Sequence, residues 1–420
     1  MMKRNLPYYW IIVAMALIAT SLSFLDRQVL SILIIRIKED LGVTNVGYGF
    51  INTGFLIGYA IMFTIGGMLI DRYGSRLGLA VSVGFWSFAT LLHSFAQNIV
   101  QLGMFRFLLG VGEGGAFPGA VKSVTEWVPE KKHALANGIA IGGAAFGAVL
   151  APPLCAYLVN ITGWRGVFII TGMVGFSWTL IWLLVTRNRN SSNENGEFKA
   201  DHAPGANTKL SAARSRIDLH VLLKAKEVWV FILMRFLLDP ILYFYMFWIP
   251  KYLNETFGSS IDQIGRIFWI PFLAMGVSNM LGGWISDKIY AAKGSLNMAR
   301  KLIMGASALM MLPVLFTIYA GSPAVVILIV TVAFFAHGLW ITNYVTSISD
   351  IFGKKVTSTV VGLSGTAGAV SAFILNPVIG LIITGFSYSP MWIYSGTMYI
   401  TAFVFFAILI PKIRLSETFA

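Results

Sequence analysis

The chain has 420 residues, 57% of them hydrophobic and only 12% charged, with a mean hydropathy of +0.75. A water-facing domain of that composition would not stay in solution, which excludes an ordinary soluble enzyme and points to a bundle whose solvent is lipid. The net charge of +13 would suit a nucleic-acid binder only if the basic residues clustered on one surface, and they instead fall between apolar runs.

Runs of about 20 apolar residues, each long enough to cross a ~30 Å hydrocarbon core as a helix, recur along the whole length. They lie near 8–32, 46–70, 77–97, 99–125, 134–158, 164–186, 227–252, 263–286, 301–319, 323–348, 358–385 and 390–411. The fold class expected is therefore an all-α membrane protein of twelve transmembrane helices. The first run is too long for a signal peptide, carries Asp26 and Arg27 near its end and lacks a small-residue cleavage pattern, so it is expected to remain in the mature protein. Cys155, the single cysteine, sits inside the fifth run, and no intramolecular disulfide is possible. That run is dense in Gly138, Gly142, Gly143 and Gly147 before Pro152-Pro153, a pattern that suits either close helix packing or a sliding interface.

The long polar stretch 187–226, rich in Asn, Ser, Lys and Arg and containing Ala203-Pro204-Gly205, reads as a linker between an N-terminal bundle, 1–186, and a C-terminal bundle, 227–420. With the N-terminus inside, about 22 of the 31 Lys and Arg residues fall in cytoplasmic segments and about four in outer loops. That bias predicts a multi-pass inner (plasma) membrane protein with both termini cytoplasmic, no nucleic-acid partner, and the lipid bilayer as its surroundings.

A half-chain repeat supports the division. Gly67-Met-Leu-Ile-Asp71-Arg72 after the second run has a counterpart, Gly283-Trp-Ile-Ser-Asp287-Lys288, after the eighth, offset by 216 residues. Glu126 with Lys131-Lys132 parallels Asp350 with Lys354-Lys355 at an offset of 224 at the acid, and the same offset carries Gly138 onto Gly362 and Pro153 onto Pro377. Six plus six helices in parallel halves follow, a plan in which substrate binds near the midplane between the halves.

Ionisable groups at membrane depth cost at least a few kcal/mol each and seldom persist without a partner or a task. Asp26, Arg27, Arg106, Glu113, Arg235 and Asp239 are the ones to explain. Arg106 and Glu113 are seven residues apart, on one face of the fourth helix. A guanidinium grips a carboxylate through two bonds and stays charged, making Arg27 and Arg106 natural clamps for an anion. Burial favours the protonated form of a carboxylic acid and a neighbouring arginine the ionised form, so proton affinity can follow the opening of a cavity. Asp26–Arg27 and Arg106–Glu113 can also be read as structural ion pairs that only stitch the first and fourth helices together. Arg235 and Asp239, at i, i+4 spacing, can neutralise each other or touch substrate. His337 can act as a proton relay or simply pack. Asn343 and Asn376 suit hydroxyl recognition, although Asn376 precedes Pro377 and can serve only the broken helix backbone.

Gly67-x-x-x-Asp71-Arg72-Tyr73-Gly74-Ser75-Arg76 resembles the loop motif of the major facilitator superfamily, with Ser75 where a second basic residue is usual. Leu25-Asp26-Arg27, the stretch from Arg106 through Glu113 to Phe117-Pro118, Gly163-Trp164-Arg165 and His337-Gly-Leu-Trp340-Ile-Thr-Asn343 resemble its anion:cation symporter family. Asp239-Pro240 with Phe247-Trp248-Ile-Pro250-Lys251 is similar to the hexuronate branch. The resemblance implies two pseudo-symmetric six-helix bundles and a monomeric carrier that imports a hexuronate or aldonate with protons. It implies proton coupling at Asp26 and Glu113, and substrate contacts from Arg27, Tyr59, Arg106, Asp239, Trp248, Asn343 and Asn376. It further implies gating by Asp71, Arg72, Arg76, Asp287 and Lys288, whose alternative role is topogenic charge at helix ends. An exchanger or uncoupled carrier of a dicarboxylate or aromatic acid is the second reading within transport.

Gly110-Val-Gly112-Glu-Gly-Gly115 matches a dinucleotide-binding pattern, but it lies inside an apolar helix with no strand before it. The sequence shows no P-loop, metal-ligand motif or nucleophile–base constellation, so no cofactor, metal or ATP is expected. A membrane-embedded enzyme or a sensor with a soluble output domain finds no support.

Overall fold

The computed structural model describes residues 8–129, 133–187 and 219–415; among them all regular structure is helical and no strand occurs. Most of the expected 187–226 linker, and the basic residues 131–132 of the repeat, lie outside the described residues. Within that stretch the described part holds a short helix, Leu219–Lys224.

Among the described residues ten helices are long and apolar enough to cross a membrane, and one of them, Ala136–Val185, is 50 residues long, about twice what a bilayer needs. It is not one rod. Gly163 has φ 68° and ψ 174°, and the chain reverses there, because both Ala140 and Trp178 hydrogen-bond with the first helix. Gly74 (φ 81°) and Gly353 (φ 67°) break the helical runs Asn45–His93 and Pro323–Phe386 in the same way. A positive φ lets glycine turn the chain at a cost that a side chain would raise. The fourth traverse is split into Ile99–Glu113 and Ala116–Trp127. With that traverse and the reversal at Gly163, the chain crosses twelve times among the described residues.

Tyr8–Leu41 forms the first span and runs nine residues past the expected end. No helix breaker intervenes before Gly42, so the polar Arg36, Lys38, Glu39 and Asp40 extend the helix beyond the apolar stretch. Lys226–Phe257 is the seventh span, Ile261–Ile267 with Trp269–Lys293 the eighth, and Ser389–Leu409 the last. The ninth, Leu296–Met310, tightens into a 3₁₀ segment, Leu312–Tyr319. Large apolar side chains such as Met280, Leu184 and Ile408 stand exposed around the outside, as lipid contact requires.

An even number of crossings puts both ends of the chain on one face, the terminal face, and the Tyr8 hydroxyl bonds the Val185 carbonyl there. At the opposite, distal face, Asp40 accepts from the Trp164 indole (2.6 Å) and from Arg165 (3.2 Å), and the Arg165 guanidinium lies 4.0 Å over the Trp164 ring. The Gly163-Trp164-Arg165 motif is thus the corner that holds the end of the first span.

The first and fifth spans approach backbone to backbone. A Cβ at Gly147 would run into the Ser21 backbone, and one at Gly143 into Leu17 and Thr20. Proline takes part as well. Pro152 lacks the N–H that would bond the Ala148 carbonyl, and Gln28 of the first span donates to that carbonyl instead (3.2 Å). Pro377 leaves the Phe373 carbonyl free in the same way, and Thr53, in the other half of the chain, donates to it at 2.9 Å.

Replacing Gly147 by Leu is expected to destabilise the bundle by about 1–3 kcal/mol through overpacking. Gly142→Leu, at an exposed position where a Cβ meets open space, should stay within about 0.5 kcal/mol. Thermal unfolding of the purified chain in detergent reads the difference, and equal losses would overturn the packing account.

Candidate functional site

The charged residues singled out from the sequence meet at the middle of the first, fourth and seventh spans. Arg27 and Glu113 are 4% and 0% exposed and form an ion pair, Nε to Oε2, at 2.6 Å. Ser23, one helical turn earlier in the first span, donates to the same oxygen at 2.9 Å. The Arg27 guanidinium lies 4.4 Å from the Tyr59 ring centroid and 4.6 Å from that of Phe24. These contacts leave Arg27 Nη2 and Glu113 Oε1 buried without a hydrogen-bond partner.

This pairing corrects both sequence alternatives. Neither Asp26–Arg27 nor Arg106–Glu113 is the ion pair; the bond runs between helices, from Arg27 to Glu113. Adjacent residues on a helix point about 100° apart and cannot face each other, and Arg106 is spent elsewhere. Its Nη2 donates to the backbone carbonyl of Arg27 at 3.1 Å while its Nε is left buried and unpartnered. Arg106 therefore fixes the helix that carries Arg27. Asp26 is buried, with Thr171 and Thr90 as polar neighbours and Glu113 and Arg106 within electrostatic range, and its Oδ1 has no partner. Glu113 is the last residue before the helix breaks at Gly114-Gly115.

In the second half, Arg235 and Asp239 pair within the seventh span, with Nη2 and Nε 2.7 and 2.9 Å from the same carboxylate oxygen. Asp239 packs against Gly368 of the eleventh span, where a Cβ would collide with the carboxylate. One turn further on, Tyr243 lies within electrostatic range of Arg27 and Tyr59 of the first half and of Asp239 and Arg235 of its own. Tyr243 did not stand out in the sequence among so many aromatics, although the i, i+4 ladder 235, 239, 243 carried the signal.

The remaining expected contacts are drawn into the packing. Trp248 donates to the Asn376 amide oxygen (3.2 Å), Asn376 donates to the Ala372 carbonyl (2.9 Å), and Tyr48 packs edge-on against Trp248. Asn343 donates to the Gly282 and Leu339 carbonyls, joining the eighth and tenth spans, and its amide oxygen stays buried and unpartnered. His337 bonds the Tyr399 hydroxyl at 2.5 Å.

Of the expected gating residues, the Asp71 side chain lies outside the described residues. Arg72 leans on the Tyr73 ring (5.5 Å) and the Arg76 carbonyl accepts from Trp182. The acid holding this corner is Glu126, which accepts from the Ser75 amide (3.1 Å) and hydroxyl (2.7 Å). Its repeat partner Asp350 binds Arg300 at 2.9 Å; Arg300 also reaches Ser286 and, at 3.6 Å, the exposed Asp287, while Lys288 lies 3.8 Å over Trp284. The shared offset of 224 was the sequence signal for this pair of acids.

At the distal face a second charged cluster joins the halves. Glu255 Oε1 pairs with Lys251 (2.6 Å) and with Lys38 of the first span (2.5 Å), and its Oε2 accepts from Tyr388 (2.7 Å). Lys251 also donates to Asn45, and Tyr48 donates to the Phe247 carbonyl at 2.6 Å. Asn160 and Asp262 add a tie between the fifth and eighth spans at 2.6 Å.

Among the described residues, no group of three or more His, Cys, Asp or Glu is arranged to hold a metal ion. Residues 16–376 match the Major Facilitator Superfamily. The chain is 30% identical over 410 residues to a probable sulfoacetate transporter of Cupriavidus necator, covering 94% of this chain and 93% of the relative. It is 29% identical to a probable galactarate/D-glucarate transporter of Escherichia coli (99% and 96% covered) and 24% identical to the hexuronate transporter of the same organism (93% and 91%). Among solved structures, a D-xylose–proton symporter superposes with a TM-score of 0.75 at 15% identity over 96% of this chain and 98% of that one, a likeness of fold alone. A twelve-crossing bundle with buried charge at its midplane, matched along most of its length, leaves one assignment: the chain is a membrane transporter of the Major Facilitator Superfamily, not an enzyme.

Proposed function

We propose that this transporter imports a sugar acid by proton symport, with alternating access across the inner membrane. The observation that carries the reading is the Arg27–Glu113 pair, buried between the first and fourth spans with one guanidinium nitrogen and one carboxylate oxygen unpartnered. A proton on Glu113 removes the charge that holds Arg27. A substrate carboxylate then replaces it on the guanidinium, with Tyr59 beneath the bond. Loss of the proton on the inner side restores the internal pair and expels the anion. Asp26, the residue before Arg27, buried with an unpartnered oxygen, is a second proton acceptor, and Arg106 keeps the helix carrying both in register.

The relatives' substrates support the chemical class, since sulfoacetate, galactarate, D-glucarate and hexuronates are all small organic acids. The excess of Lys and Arg in the segments on the terminal face supports an orientation with both termini in the cytoplasm. The distal face is then the outer face, and the Glu255 cluster acts as an outer gate, closed here. Both halves that complete the site belong to one chain, which suits a monomer. Glu126 and Asp350, with Arg72, Arg76, Asp287 and Lys288 near them, act as the inner gate. Asp239 contributes to the site from the second half. Trp248, Asn343 and Asn376, engaged in packing here, reach substrate hydroxyls only as the helices shift. An exchanger or uncoupled carrier is the competing reading.

Uptake of labelled glucuronate, galacturonate and glucarate into proteoliposomes under an inward proton gradient, abolished by a protonophore, is the expected result. Glu113→Gln should end gradient-driven accumulation while sparing exchange, and accumulation that survives the change removes Glu113 from coupling. Glu255→Gln removes charge-assisted bonds worth about 1–1.5 kcal/mol, which should open the outer face roughly five- to tenfold more often. Labelling rates of a cysteine placed at Thr53, in a Cys155→Ala background, measure that opening; an unchanged rate would sink the gate.

A further inference from the structure

The second half carries an arginine–carboxylate pair whose arginine has no part in the mechanism proposed above. Arg235 sits mid-span yet is 25% exposed, and both of its bonds go to one oxygen of Asp239. Positions 235, 239 and 243 share a helix face. Tyr243 on that face is within electrostatic range of Arg27 and Tyr59, so the face looks toward the other half. Gly368 leaves Asp239 room against the eleventh span that any side chain would fill. Across the gap, the Arg27 Nη2 is buried with no partner. Two guanidinium groups, one from each half, thus flank Tyr59 and Tyr243.

We propose that the Arg235–Asp239 pair is a second anion seat opposite Arg27–Glu113, and that the substrate is a small molecule with an acidic group at each end. This rests on the organic-acid reading of the site and narrows it. Every acidic group taken out of water at membrane depth needs its own cationic partner. A mono-acid satisfies Arg27 and has no use for Arg235, whereas a diacid engages both and draws the halves together as it binds. If the pair served structure alone, an apolar pair of similar volume would hold this helix as well.

Equilibrium titration of the purified full-length chain with D-glucarate and D-gluconate, open-chain acids that differ by one carboxylate, tests the seat. Sulfoacetate and propionate form a second matched pair without hydroxyls. The expected result is a preference of about tenfold or more for the two-acid member, as a charge-assisted contact provides, falling to near unity in Arg235→Gln. Arg235→Gln/Asp239→Asn, which leaves no unpaired buried charge, should lose the preference in the same way and guards against misfolding of the single variant. A preference seen only in the sulfoacetate pair supports the two seats while removing the sugar-acid reading. Equal affinity for both members of each pair, a preference that survives both variants, or no binding of any of the four would overturn the proposal.

Discussion

In a bundle surrounded by lipid, a charge cannot be left over, and the Arg27–Glu113 bond is where that constraint acts most strongly. Both groups are almost wholly buried, so neither can fall back on water when its partner is lost. Around them the first and fourth spans are adjusted to one another. Arg106 grips the Arg27 carbonyl, Ser23 supports the carboxylate, and the fourth span breaks immediately after Glu113. The bond is strong only while it is complete, and breaking a buried pair typically costs about 3–5 kcal/mol. In the proposed cycle, protonating Glu113 removes its charge and lets a substrate carboxylate replace it on the guanidinium.

The backbone around this bond is unusually open to exchange between helices. Prolines in the fifth and eleventh spans release carbonyls, which are taken up by Gln28 and Thr53 from neighbouring helices rather than left bare. Glycines let the first and fifth spans touch backbone to backbone. One of these joints lies inside a half and the other between halves, and a side-chain donor is easier to release than a helical bond. The same residues that pack the bundle thus supply contacts that the proposed rocking of one half on the other can remake.

The repeat shows the two halves solving a common problem with different chemistry. Glu126 and Asp350 occupy equivalent places, yet the first binds the amide and hydroxyl of Ser75 and the second binds Arg300. At the midplane, the first half makes its ion pair between two helices and the second within one. A pair within one helix survives rigid-body motion, whereas a pair between helices responds to it. The pair in the first half therefore depends on how its helices are set against each other, and the pair in the second moves with its helix as a unit.

The sequence by itself determined the class of solvent, the crossing number, the repeat and the list of charges that needed explaining. Those properties depend on hydropathy and spacing, which are local. Partner choice was not legible in it. Arg27 could be seen as a clamp, but that it meets Glu113 rather than Asp26, and that Arg106 serves a backbone carbonyl, depends on how two helices 86 residues apart are rotated against each other. The Glu255 cluster was invisible for the same reason, since Lys38, Lys251 and Tyr388 come together only when three distant helix ends converge. Asn343 and Asn376 could be picked out as hydroxyl contacts, and only packing decided that in this arrangement their amides are spent on neighbouring helices. Side-chain direction around a helix is set by what the helix packs against, and that information belongs to the tertiary structure alone.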